Sequence, residues 1–333
     1  MTRRLREDPD TLAEHLETLA GHTGLPYVQL EKDFWLTEAL RGVTAASGRE
    51  GVPIYFKGGT SLSKIFGIIE RFSEDVDVLV ALPTTDDVMS ANQRDKALRR
   101  LCHGAEQTTG LSGVTDPTKT RKGDKRAVHL PYRDDEAEGL ALAPLRPEGV
   151  LVELGRWGGS EPHTQRSVMS ILARHAAALE LEPFEEQQDF VVNVVDPVRT
   201  AVEKLVLLEN AAVDPDESRR RAVARHYYDV WCLLHDEATR EQLLRPDRVA
   251  AIAREVFVYT HYFKHEDHKS SVRERPLDGF SSSSAFDATN EALTVVRDAY
   301  ESTVLDVLLW PTAARRPSFE ECCATVASLE GGL

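Results

Sequence analysis

Two aspartates, Asp75 and Asp77, stand two residues apart in the alternating run DVDVLV, shortly after a glycine pair, Gly58-Gly59. On a strand, residues two apart project to one face, about 6.5–7 Å apart along the backbone. Like charges so placed repel and raise each other's pKa unless cations sit between them. Two Mg²⁺ ions about 3.5–4 Å apart would relieve that repulsion and clamp an in-line phosphoryl displacement. The alternative is an edge strand with two solvated acids, and the apolar Val76 and Val78 between them suit both readings. Gly58-Gly59 closes the β-type run PIYFK (Pro53–Lys57), and Thr60–Phe66 reads as the start of a helix. At such a junction the missing Cβ atoms admit another group to the backbone, and the free N–H groups of the helix favour an anion. Thr60 and Ser61 add hydroxyl donors. A strand, a glycine pair and a helix also make an ordinary tight turn, so it is the two aspartates that give the segment its chemistry.

Three further residues extend the set. Glu153 interrupts the apolar run VLVEL, where an unpaired carboxylate is costly. A metal ligand is a reason to keep one there, and a surface strand or an ion pair with Arg156 is the other. Lys204 lies in AVEKLVLLEN with Ala201, Leu207 and Leu208 at helix-face spacing, so it either snorkels or is aimed at a buried anion. Asp229, in RHYYDVWCLL, either pairs with Arg225 and His226 or orients a nucleophile or a catalytic lysine.

These residues need a scaffold. Apolar spacing predicts helices over Asp10–Leu19, Leu30–Val43, Val88–Cys102 and Ser167–Leu179. Strands are expected at Pro53–Lys57, Asp75–Val80, Ala127–Tyr132, Val150–Leu154 and Phe190–Val195, with a polar loop running up to Lys125. From Val198 onward the pattern is helical: Val198–Leu208, Arg219–Leu234, Glu241–Val258, Thr289–Leu309 and Ser318–Leu329. His261–Ser284 reads as a loop, and its His261, His265, His268, Glu266 and Asp267 as solvated side chains, because their spacing is too mixed for a metal site. A composition shift near Pro197 divides the chain into an α/β part, residues 1–196, and a helical part, residues 197–333. The fold class is α+β.

The chain has 333 residues and a formal charge of −15, which argues against coating nucleic acid by bulk charge. Two local clusters qualify this: Lys119, Arg121, Lys122, Lys125 and Arg126, and Arg219, Arg220, Arg221 and Arg225. Each is either a solvated face or a footprint for phosphates. No stretch approaches the ~20 apolar residues of a membrane helix. The charged N-terminus carries no apolar signal segment, and the four cysteines show no metal-ligand or disulfide spacing. A cytoplasmic protein without a membrane partner is expected.

The order strand, GG-[ST], then S-x-D-x-D resembles the minimal nucleotidyltransferase core of the DNA-polymerase-β type. Longer strings resemble the AbiEii/Men-type nucleotidyltransferase toxins: LEKDFWLTEALR at Leu30–Arg41, FKGGTSLSKIFGIIERFSEDVDVLV at Phe56–Val80, LVELGRWGGSEP at Leu151–Pro162, DPVRTAVEKLVLL at Asp196–Leu208, RHYYDVWCLL at Arg225–Leu234 and RPSFEECCATVASLE at Arg316–Glu330. The resemblance runs roughly from Tyr27 to the C-terminus, and His261–Phe280 departs from it most. It implies a mixed-sheet nucleotidyltransferase core with flanking helices and a helical second half completing the active site. It also implies a Mg²⁺-dependent toxin of a type IV toxin–antitoxin system that transfers nucleotides from an NTP to RNA, at the 3′ end of tRNA, blocking aminoacylation. Carried over by position, Gly58, Gly59, Thr60, Ser61 and Ser73 belong to the triphosphate motif and Asp75 and Asp77 are the metal-binding acids. Lys204 and Asp229 match the later lysine and aspartate needed for activity, and Glu153 matches the acidic strand position less closely. The implied partners are an RNA acceptor and a cognate antitoxin, such as a winged-helix DNA-binding protein. Transfer to an antibiotic-like small molecule or to a protein is the competing activity; an inactive regulatory binding protein fits the intact S-x-D-x-D motif less well.

Overall fold

The computed structural model describes residues 3–83, 87–133, 149–267 and 279–329. Helix α1 (Pro9–Thr23) starts with Pro9 at its first position and Asp8 accepting from the Thr11 N–H, and it ends at Gly24 in the left-handed region. Helix α2 (Tyr27–Glu50) follows Pro26 and ends the same way at Gly51. Strand β1 (Ile54–Lys57) leads directly into α3 (Gly58–Ser61), which widens to a π-type turn over Leu62–Phe66. Next come β2 (Asp75–Val80), α4 (Ala91–Thr109, opened by a Ser90–Gln93 capping box), β3 (Val114–Thr115), β4 (Lys125–Pro131), β5 (Gly149–Gly155), β6 (His163–Val168), α5 (Ile171–His175) and β7 (Phe190–Val195). The remainder is helical: α6 (Pro197–Ala212), α7 (Glu217–Ala222), α8 (Ala224–His235), α9 (Glu237–Leu243), α10 (Pro246–Asp267), α11 (Thr294–Ala299) with a π-type continuation over Tyr300–Leu308, and α12 (Phe319–Ala327).

The chain divides into two compact units. One comprises Met1–Ile65, Phe72–Val194 and Trp310–Thr312; the other comprises Phe66–Arg71, Val195–Leu309 and Ala313–Leu333. The strands form one mixed sheet in the order β3-β4-β5-β2-β1-β7-β6. β2 runs antiparallel to β1 and parallel to β5, and β4 runs antiparallel to β5. Val76, Val78 and Val80 of β2, with Val152 and Leu154 of β5, are buried on one face of this sheet, and α2 packs against both strands. The architecture is α+β, a mixed sheet with flanking helices and then helices alone, as expected.

Several expectations about elements are corrected. Arg219–Leu234 divides at Val223 into α7 and α8, and the polar loop before Lys125 contains the short strand β3. Ser167–Leu179 is not one helix: β6 runs through Val168, and α5 begins only at Ile171, where the Ser170 hydroxyl accepts from the Ala173 N–H. The exposed Gln165, Arg166 and Ser167 carry no apolar alternation, so this edge strand gives no strand signal. The helix expected over Glu241–Val258 is split by Pro246, which cannot sit inside a helix but suits the first position of α10. α10 then continues through His261–Asp267, where a loop was expected; His268 and the following residues, to 278, lie outside the described residues. All four cysteines are free and buried, and no helix among the described residues is long and apolar enough to cross a membrane.

α2 and α4 touch at two glycines. A Cβ on Gly42 would lie 2.3 Å from the Gly104 carbonyl oxygen, and one on Gly104 would lie 2.5 Å from the Ala46 Cβ. Both obstacles belong to helices packed on the sheet and cannot simply turn aside. Gly42→Ala is therefore expected to destabilise the chain by about 1–3 kcal/mol, read as a lower urea midpoint with an unchanged m-value.

Candidate active site

Strand register assembles the first group of predicted residues. Asp77 lies opposite Glu153 in the parallel β2–β5 pair and opposite Lys57 in the antiparallel β1–β2 pair. Asp75, two residues before Asp77, shares its face, the one opposite the buried valines. Adjacent strands lie about 4.7–4.9 Å apart, so Asp77 and Glu153 leave the sheet from neighbouring backbone positions, with Asp75 further along the same face. Gly58 borders it: at φ +79°, a Cβ there would sit 2.5 Å from Asp77 Oδ2. The Asp77 carboxylate thus occupies space that any other residue at position 58 would fill, and the backbone angle itself favours glycine.

The hydroxyls of the turn look inward. Thr60 Oγ1 donates to the Asp75 carbonyl at 2.6 Å and lies 2.9 Å from Ser73 Oγ. Ser61 Oγ donates to the Gly58 carbonyl at 2.9 Å. Thr60, in contact with Ser73, therefore ties the glycine turn to the strand that carries the acids, and Ser61 closes the turn on itself. The Leu30–Arg41 string has a related role. Lys32 pairs with Glu74 at 2.9 Å, next to Asp75, and Asp33 takes the Lys64 ammonium at 2.5 Å and the Ile171 N–H at 2.6 Å.

Glu153 is engaged by two cations, Lys119 at 2.6 Å and Lys125 at 2.5 Å, rather than by Arg156, which pairs with Asp124 at 2.6 Å. Burial alone would raise the Glu153 pKa, but the two lysines overcome it and hold the carboxylate below its ordinary range. No three His, Cys, Asp or Glu side chains form a ready-made metal cage among the described residues. The acids present nevertheless fit Mg²⁺, a hard cation that is commonly held by one or two carboxylates, waters and substrate phosphates.

Lys204 and Asp229 belong to the second unit, where they meet directly. Lys204 Nζ donates to Asp229 Oδ2 at 2.8 Å and to His226 Nδ1 at 3.0 Å. Arg71 completes the group as a two-pronged donor to Asp229, at 2.6 and 2.7 Å. Asp229 is 0% exposed. Burial would raise its pKa, yet Arg71 and Lys204 hold it well below the usual carboxylate range. So placed, Asp229 orients Lys204 and is not set up to exchange protons. Of the two readings for Lys204, the buried anion is the observed one. Arg71 was not anticipated, although a charged residue between the apolar Ile68, Ile69 and Phe72 demands a buried partner.

The basic clusters are partly neutralised in place. Arg121 lies 3.4 Å from Asp124, Arg219 lies near Asp214 and Asp216, and Arg221 pairs with Glu217 at 2.9 Å.

Two outcomes test the buried network. Arg71→Met leaves Asp229 short of its bidentate partner and should cost about 3–5 kcal/mol in urea unfolding. His226 is pushed down to about 3, first by burial and then by Lys204. Between its ordinary 6.5 and that value the unfolded chain takes up a proton that the folded chain refuses. The neutral ring's contribution is thus complete above about 6.5 and lost as pH falls toward 3. His226→Gln should flatten the stability curve across that window, measured by thermal melts at a series of pH values.

The chain was compared with known proteins. The sequence profile of the nucleotidyl transferase AbiEii toxin family, type IV toxin–antitoxin system, matches residues 43–324. No curated protein matches the sequence. Among solved structures, MenT4, a nucleotidyltransferase toxin from Mycobacterium tuberculosis H37Rv, is 17% identical with a TM-score of 0.34, over 77% of this chain and 90% of that one. So distant a match carries no weight here, whereas the family profile spans most of the sequence and includes Gly58, Asp75, Asp77, Glu153, Lys204 and Asp229. The chain belongs to the AbiEii nucleotidyl transferase toxin family of type IV toxin–antitoxin systems.

Proposed function

We propose that this toxin transfers a nucleotide from an NTP to an RNA hydroxyl, at the 3′ end of tRNA, and thereby blocks translation in the cytoplasm. The observation that carries this reading is the register that sets Asp75, Asp77 and Glu153 on one sheet face beside Gly58. In the proposal residues 1–196 form the nucleotidyltransferase core, and residues 197–333 supply the remaining active-site groups. Gly58 and Gly59 admit the triphosphate to the backbone, while Thr60, Ser61 and Ser73 keep the turn in place. Asp75 and Asp77, joined by Glu153, hold Mg²⁺. When bound, the metal supplies charge neutralisation for the phosphates and a more acidic acceptor hydroxyl. Lys204, oriented by Asp229, counters the negative charge that grows on the phosphate oxygens. A cognate antitoxin follows from the family, and a winged-helix DNA-binding protein is the proposed form.

Purified protein, Mg²⁺, each α-labelled NTP and total tRNA provide the test. Labelled RNA with at least one NTP is expected, together with a loss of more than about a thousandfold in Asp75→Ala and Asp77→Asn. Chelation by EDTA should abolish labelling, and added Mg²⁺ should restore it. No labelled RNA with any NTP, or full activity in Asp75→Ala, contradicts the proposal. Label on polypeptide or on an aminoglycoside instead would move the acceptor to the competing class.

A further inference from the structure

Glu153 has more positive charge around it than one carboxylate needs. Lys119, from the loop before β4, reaches Oε1 at 2.6 Å, and Lys125, the first residue of β4, reaches Oε2 at 2.5 Å. The burial is uneven: the Glu153 side chain is 13% exposed, and those of Lys119 and Lys125 are 35% and 39% exposed. The carboxylate is thus fixed in the sheet, while the ammonium groups end long, solvated stems. One ammonium already supplies a counter-charge for the carboxylate, so the second, on a partly exposed stem, adds less to stability than the first. It does bring a further positive charge to the neighbourhood of Asp77. With Lys57, opposite Asp77 in β1, three lysines and three carboxylates are brought to one face of β4, β5, β2, β1 and their adjoining loop.

We propose that Lys119 and Lys125 are a phosphate-binding pair stored on Glu153. When phosphate arrives, the two ammonium groups exchange the carboxylate for phosphate oxygens, and Glu153 is released next to Asp77. Each lysine keeps an oxygen anion as its partner, and the carboxylate it leaves would share with Asp77 the proposed Mg²⁺, which would offset the negative charge the phosphate brings. Lysine suits the task, since its ammonium is a mobile point charge that binds phosphate without the fixed geometry of arginine. The inference rests on the nucleotidyl-transfer reading, since it places this pair in that same site. The phosphate belongs either to the triphosphate of the NTP or to the backbone of the RNA acceptor.

Two binding measurements in Mg²⁺ buffer separate these sources. Short, 5′-labelled single-stranded RNA is titrated by fluorescence anisotropy without NTP, and each α,β-methylene nucleoside triphosphate by calorimetry without RNA. The double variant Lys119→Ala/Lys125→Ala should weaken one or both by about tenfold or more, whereas Lys119→Arg/Lys125→Arg should retain most of the affinity. Loss on RNA alone, with a salt slope shallower by about 0.7 per lost contact, assigns the pair to the acceptor strand. Loss on the analogues alone assigns it to the triphosphate. Glu153→Gln, which frees both lysines, should tighten the affected ligand by about threefold when the titration is repeated in EDTA, where the proposed role of Glu153 toward Mg²⁺ does not enter. If the double alanine variant fails to fold because Glu153 is left unpaired, the triple variant with Glu153→Gln is compared with Glu153→Gln alone. Unchanged affinity for both ligands in a folded lysine-less variant overturns the inference, as does weaker binding by Glu153→Gln in EDTA. Absence of label transfer by the unaltered protein would contradict the function but not a lysine-dependent phosphate affinity, so the two failures are distinguishable.

Discussion

Concentrated negative charge is the constraint from which the structure of the site follows. β2 places Asp75 and Asp77 on one face, and the parallel register with β5 adds Glu153 beside them. Carboxylates crowded in this way must be protonated, separated or neutralised. For Glu153 the structure neutralises, with Lys119 and Lys125 closing on it. Around this cluster the fold spends specific residues on rigidity. Gly58 gives its missing side chain to Asp77, Thr60 holds the Asp75 carbonyl, and Lys32 fixes Glu74. On the proposed function, a sheet face with charge of both signs exchanges internal ion pairs for cations and phosphates.

The second unit solves the same problem with the opposite outcome. Asp229 is buried among Arg71, Lys204 and a neutral His226. Here the anion is the fixed element, and it sets the position of the lysine. Truncating one member of such a group leaves a charge uncompensated in a low-dielectric interior, so the network resists substitution even where its net contribution to stability is small. A buried carboxylate with this set of donors fixes the Lys204 ammonium, and the chemistry proposed for Lys204 depends on it.

Much of this was legible in the sequence because the informative signals are local. Alternation marked DVDVLV as a strand, the valine-rich run FVVNVV read as another, and the glycine pair marked a turn at the end of β1. Glu153 stood out as a charge within an apolar run. The remainder depends on contacts far apart in the chain. That Glu153 meets Lys119 and Lys125 follows from the β4–β5 pairing, which no spacing reveals. Arg71 precedes its partner Asp229 by a long stretch of sequence, and the apolar residues around it show only that some partner must exist. β6 was missed because an exposed edge strand carries no alternation, and the helix break at Pro246 was overridden by apolar spacing on either side of it. The inward-facing hydroxyls of Thr60 and Ser61 were also beyond reach, since a hydroxyl near a turn serves a ligand or the fold with equal ease.

The central claim is that the β2 carboxylates grip divalent cations together with a nucleoside triphosphate. Electron paramagnetic resonance of Mn²⁺ added to the protein with an α,β-methylene NTP tests it most directly. The account predicts a bound-Mn²⁺ signal that appears with the nucleotide and is lost in a folded Asp77→Asn variant. The same signal in that variant, or no bound Mn²⁺ in the unaltered protein with any of the four nucleotides, would contradict it.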